Sequence, residues 1–170
     1  MMTDPKLIRT RGPVKGNGTS FAGLSGLSRM SILIGLGPID LAEAAKRLVP
    51  KALHGAGKVF SRSAEISKTL AQGIEDGSCI ESHRGAALLH LRVEGLAEPR
   101  AALGISSEGM GPERVYATAL FLSPKGAAGS GIPHWARKKL FDEKTLYRLR
   151  TAADLESVCG VLSAERQEGE

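Results

Sequence analysis

A three-layer α/β/α domain built on one mixed sheet, in the order βααβββααα, is the α/β architecture expected of this chain. Three observations point to it. Short apolar runs of strand length stand at Ser31–Leu36, Ala86–Leu91, Ala101–Ile105 and Val115–Leu122. Segments with helical spacing of apolar residues lie between the first run and the second, and again after the last. The last run, Val-Tyr-Ala-Thr-Ala-Leu-Phe-Leu, is apolar at nearly every position, so it suits a strand covered on both faces and calls for helices on either side.

Residues 1–30 are rich in Gly, Ser and Thr with few large apolar groups. Such a leader buries too little surface to offset the entropy of ordering, so a disordered basic arm is expected ahead of a single domain over 31–165. Asp40 is placed to cap a helix in which Leu41, Ala44, Ala45, Leu48 and Val49 share one face. Pro50 should end it near Val49, because proline removes a backbone donor and clashes with the preceding turn. Leu53 then belongs to a short turn closed by Gly55 and Gly57. Ser63 is the expected cap of a second helix reaching about Glu75, with Ile66, Thr69, Leu70 and Ile74 on one side and Asp76-Gly77-Ser78 after it.

Arg84 to Met110 reads as strand, turn and adjacent strand, two apolar runs around a polar bend holding Glu94, Gly95, Glu98 and Pro99. The third strand of this block stops at Ser123-Pro124. A glycine-rich loop runs to Gly131, Trp135, Leu140 and Phe141 mark a short helix, and Asp142 caps another through Arg150. Thr151-x-x-Asp154 resembles a capping box opening a last helix with Leu155, Val158 and Leu162.

Composition narrows the function classes. The 170 residues carry a net charge of +5, but Lys6, Arg9, Arg11, Lys15 and Arg29 face only Asp4 before Ser31. That leader holds an excess of +4, which leaves the body nearly neutral and argues against a nucleic-acid binder. Arg137-Lys138-Lys139 is the basic triplet of the body and reads as a solvated helix face. Two cysteines, Cys79 and Cys159, without a C-x-x-C spacing, fit a reducing cytoplasmic compartment and no disulfide. The apolar run Ile32–Ile39 is broken by Gly35, Gly37 and Pro38 and is far short of the about 20 residues a membrane helix needs. Gly57-Lys58 fails as a phosphate-cradling loop, since Ala52 replaces its first glycine and Val59 its hydroxyl.

His90 is the candidate for chemistry. It stands at the end of an apolar strand, before a glycine-bearing connection, and a neutral imidazole is a competent nucleophile near neutral pH. A lone histidine there is more often a surface or hydrogen-bonded residue. Arg92 and Arg84 lie an even number of positions away on the same run and so could share its face, as an aid to charge or as exposed residues. His83 is seven positions away and of opposite parity. No metal-ligand spacing relates His54, His83, His90 and His134, and neither metal nor cofactor is expected.

Three stretches resemble the enzyme IIA domains of the fructose/mannitol class of the bacterial phosphotransferase system and their nitrogen-regulatory relatives. The resemblance covers about Ile32 to Leu162. It is carried by G-A-A-L-L-H-L-R-V-E-G-L-A-E-P-R-A-A-L-G-I-S-S-E-G-M, by G-K-V-F-S-R-S-A-E-I-S-K-T-L-A-Q-G-I-E and by D-E-K-T-L-Y-R-L-R-T-A-A-D-L-E-S-V, in the family's order. It implies a phosphocarrier whose histidine, matched by His90, takes a phosphoryl group from a histidine-containing phosphocarrier protein. The group then passes to an enzyme IIB, or is kept as a signal to a transporter or kinase.

The departures are specific. Leu89 replaces the proline that precedes the family's active histidine. The family's arginine falls on Ile74, beside a retained Glu75. Its second active histidine falls on Ser130 or Ile132, with His134 the nearest histidine. Leu89 changes the backbone constraint that aims the ring, and the missing arginine and second histidine each remove a group that would stabilise transferring charge, so an alternative is a IIA-like interaction module that has lost transfer.

Overall fold

The computed structural model describes residues 30–129 and 131–163. The expected basic arm therefore lies almost wholly outside the described residues. Five strands form one sheet: β1 (Ser31–Ile34), β2 (Ile80–His83), β3 (Ala86–Val93), β4 (Arg100–Met110) and β5 (Val115–Pro124), in the spatial order β1-β4-β5-β3-β2. β1 runs parallel to β4 and β3 parallel to β5, while β4 with β5 and β2 with β3 are antiparallel, so the sheet is mixed. Helices α1 (Leu41–Ala52) and α2 (Ser63–Asp76) cover one face, and α3 (His134–Leu140), α4 (Glu143–Arg150) and α5 (Leu155–Ser163) the other.

Strand parity assigns the two cores. Leu89, Val93, Ala102, Leu120 and Leu122 pack with Leu48, Val49, Leu53, Ile66 and Leu70 on the α1–α2 side. Ala86, Leu88, Leu103, Ala117, Ala119 and Phe121 pack with Trp135, Ala136, Leu140, Leu149 and Val158 on the other. β5 is buried on both faces over almost its whole length, as its unbroken apolar run requires.

Four local expectations are corrected. First, β4 is not the sheet neighbour of β3; β5 lies between them. The connection through residues 94–99 has only to span two strand spacings, about 10 Å, which frees the doubly apolar β5 for the centre. Second, the order gains a strand, β2, joined to β3 by a two-residue turn at Arg84-Gly85 with φ of 40° and 91°. Both values are positive, as a tight hairpin of right-handed twist demands.

Third, Pro50 sits inside α1 without ending it. The bond it forgoes is one near the helix end, and the carbonyls beyond are taken up: Leu53 N–H donates to Val49 O at 3.0 Å, Ser31 Oγ to Lys51 O at 3.1 Å, and the Arg100 guanidinium to His54 O and Gly55 O at 2.9 and 3.1 Å. Fourth, two caps move. Ser63 Oγ turns back to Phe60 O in a preceding 3-10 turn (Gly57–Arg62), and Asp154, not Thr151, accepts the Ser157 N–H at the start of α5. Asp40 and Asp142 cap α1 and α4 through the N–H groups of Glu43 and Thr145. Among the described residues no helix is long and apolar enough to cross a membrane.

Candidate functional site around His90

One face of β3 changes character along its length. Toward α3–α5, Ala86 and Leu88 are fully buried, and the next two residues of the same parity are His90 and Arg92, both half-buried. His90 is held from both sides: Phe121 of β5 stands opposite, and its own N–H donates to Cys79 O at 3.0 Å. Leu89 is completely buried against the α1–α2 core and paired with Ile80 of β2. A ladder on both sides of the strand favours a residue that keeps its N–H, as leucine does.

The His90 ring takes part in no hydrogen bond with a described residue. Burial pushes its pKa below the ordinary imidazole value; Glu81 opposes that shift, while Arg92 and Arg137 add to it. The ring is therefore neutral at neutral pH, the state in which a nitrogen lone pair can attack.

Two arginines flank it. Arg92 donates to Pro124 O at 3.4 Å, to Ala127 O at 2.6 Å and to Gly129 O, which pins the glycine-rich loop after β5 beside the site. Gly131 at the end of that loop has φ of 86°, and a side chain there would also meet Ser123 Oγ at 3.0 Å, so glycine is required. On the other side, Glu81 of β2 faces Leu88, diagonal to His90, within about 7–8 Å across the ladder. Its carboxylate accepts two bonds from Arg137 of α3, from Nε at 2.7 Å and from Nη2 at 2.9 Å. That fork holds the Glu81 carboxyl below its ordinary pKa.

The other sequence candidates separate. Arg84 occupies the β2–β3 turn, six residues and about 20 Å of extended chain from His90, so it does not join the site. Even parity misled there because the strand begins only at Ala86. His83, read as opposite in parity, in fact shares the His90 face, because the turn between them resets the alternation; it pairs with Ala86 and its ring lies 5.3 Å from that of Phe141.

His134 opens α3 and is exposed. Trp135, which follows it, meets Phe121 edge-on at 6.0 Å, so His134 stands at the same end of the sheet as His90. Ser130 lies outside the described residues, and Ile132 is buried in the core. Ile74 packs against the α1–α2 core and brings no charge.

Glu81 and Arg137 were not among the sequence candidates. The triplet read as a solvated helix face is divided by the fold: Arg137 binds Glu81, Lys138 is exposed, and Lys139 is buried with Nζ at 3.4 Å from Val161 O. Among the described residues no group of three or more His, Cys, Asp or Glu converges to hold a metal ion. The arrangement is a half-buried imidazole, without a hydrogen bond to any described residue, that feels the Glu81 carboxylate together with the Arg92 and Arg137 guanidinium groups.

No family model matches the chain, and no curated protein matches it. Among solved structures, the nitrogen regulatory protein IIA-Ntr from Neisseria meningitidis is similar, with a TM-score of 0.62 and 17% identity, covering 77% of this chain and 92% of that one. Likeness at that identity is likeness of fold: the chain has the α/β fold of a phosphotransferase-system IIA protein.

Proposed function

We propose that this chain is a IIA-like phosphocarrier or regulatory protein of the phosphotransferase system, working in the cytoplasm, with His90 as the phosphoryl acceptor. The observation that carries the reading is an unbonded imidazole, kept neutral by partial burial and fixed in a two-sided ladder, with Arg92 and Arg137 beside it. The donor is a histidine-containing phosphocarrier protein. The His90 lone pair forms a bond to phosphorus as the phosphorus–nitrogen bond of the donor breaks, and the donor imidazole leaves with the electron pair. The cations balance charge on the equatorial oxygens as the group crosses. Onward transfer goes to an enzyme IIB, or the phosphorylated state itself signals to a transporter or kinase. The regulatory outcome is favoured over sugar uptake because the similar structure belongs to a nitrogen regulatory protein.

A second reading, an interaction module without transfer, is favoured by one observation: the Arg92 guanidinium is already engaged by three loop carbonyls. Incubation with the phosphorylated carrier separates the two. Acid-labile label that disappears in His90→Ala supports transfer. An unlabelled chain that still captures its transporter or kinase, equally well as His90→Ala, supports the module.

A further inference from the structure

The Glu81–Arg137 pair lies beside His90, and while the Arg137 charge already has a part in the reading above, its hold on Glu81 has none so far. Register places Glu81 diagonal to His90 on one face of the sheet, and the fork from Arg137 brings a guanidinium over that same corner from α3. Both side chains are open to water, 41% exposed for Arg137 and 38% for Glu81. An ion pair so exposed is weakly held, because solvent screens it, and the guanidinium can turn without breaking a core. A phosphoryl group on His90 would offer three acceptor oxygens and close to two negative charges, a stronger partner for a planar fork than one carboxylate. Position 74, where the resemblance would put a cation, holds a partly buried isoleucine packed against the α1–α2 core, whereas Arg137 of α3 is a cation whose charge is felt at His90.

We propose that Arg137 is an exchangeable phosphoryl-binding residue: it rests on Glu81 while His90 is unmodified and turns to the phosphoryl group once His90 carries one. The exchange has a second consequence. Glu81 and His83 of the edge strand β2 contact Arg137 and Phe141, one turn apart at the two ends of the α3 seam. Withdrawing Arg137 removes one of those two contacts, so the state of His90 is written into the β2–α3 surface that a partner protein could read.

The proposal rests on His90 being a phosphoryl acceptor, and its test is independent of the carrier. Phosphoramidate phosphorylates open histidines directly: the ring nitrogen bonds to phosphorus, the phosphorus–nitrogen bond of the reagent breaks, and ammonia leaves with the proton. In the full chain, the Nε–H resonance of Arg137, identified by its absence in Arg137→Lys, should move when His90 is phosphorylated.

The phosphoryl group's own pKa, followed by phosphorus resonance, should shift in opposite directions in two variants. It should rise by about one unit in Arg137→Gln, which removes the cation, and fall in Glu81→Gln, which frees it. Arg137→Lys keeps the charge without the fork and should lie between wild type and Arg137→Gln.

Charge alone moves the two glutamine variants in opposite directions, so the exchange is read from the Arg137 Nε–H resonance, which a merely structural ion pair leaves in place. An Arg137 resonance that stays in place while His90 carries phosphate overturns the exchange and leaves the carrier reading intact. Failure of the carrier with success of phosphoramidate and a moving Arg137 resonance does the reverse. A His90 that phosphoramidate does not label overturns both.

Discussion

Leu89 and His90 are consecutive residues of one strand, and they belong to different parts of the protein. Leu89 points into the α1–α2 core and is completely buried; His90 points toward α3 and is half-buried, between two arginines. The alternation of a strand puts a packing residue and the proposed acceptor side by side, each fixed by the same two ladders. The α1–α2 face stays apolar to the end of β3, where Val93 is buried, whereas the α3–α5 face turns polar after Leu88. A site forms where one face stops being core while the backbone beneath it remains rigid.

Breaking the comparison should cost very different amounts on the two sides. Leu89→Ala leaves a cavity in a fully enclosed position and should destabilise the fold by about 3 kcal/mol, whereas His90→Ala removes a half-exposed ring and should cost less than about 1 kcal/mol. Denaturant unfolding of the two variants checks this; equal losses would mean that the two faces are not distinct.

Next in size is Gly73→Ala in α2. An added Cβ would lie 2.2 Å from Cys79 Sγ, and Cys79 is the residue whose carbonyl holds the His90 N–H. A loss of about 2 kcal/mol is expected, with weakened protection of the His90 amide in hydrogen exchange. Gly73→Ala together with Cys79→Ala should recover part of it.

A smaller effect than these two core changes lies in the helix caps of the α3–α5 side. Asp142 caps α4 through the backbone N–H and hydroxyl of Thr145, which lower its carboxyl pKa. Because the folded-state pKa is depressed, the stabilisation is present above the unfolded pKa of about 3.9 and is lost as pH falls through the folded value. Asp142→Ala should cost about 1 kcal/mol at neutral pH and nothing in strong acid, as read from melting temperatures across pH.

His90 acts in the same direction at higher pH. Its pKa is lowered on folding, so acidification below the ordinary imidazole range of about 6.5 protonates the unfolded chain first and destabilises the fold. His90→Ala should flatten that part of the stability profile.

Much of this arrangement was legible in the residues. The helical segments after Asp40 and Asp142, the doubly apolar β5 and the strand bearing His90 follow from spacing alone, since each is set by which neighbours are apolar. β2 was not legible: Ile-Glu-Ser-His is short and half polar, as an exposed edge strand should be, and its turn uses Arg84 at positive φ where glycine would have been the signal. The carbonyls of His54 and Gly55 just after α1 are taken up by Arg100, a residue of β4 far along the chain.

Glu81 and Arg137 lie 56 positions apart, and only the packing of α3 over β3 and its neighbour brings them together beside His90. The separation of Arg84 from the site likewise depends on where a strand starts, which parity counting cannot supply.

The most direct measurement is site-resolved mass spectrometry of the full chain after incubation with a phosphorylated histidine-containing carrier, under conditions that preserve phosphohistidine. The chain has four histidines. Phosphate on His90 and on none of His54, His83 or His134 is the expected result. Phosphate on another histidine with His90 unmodified, or no phosphate on any of them, would contradict it.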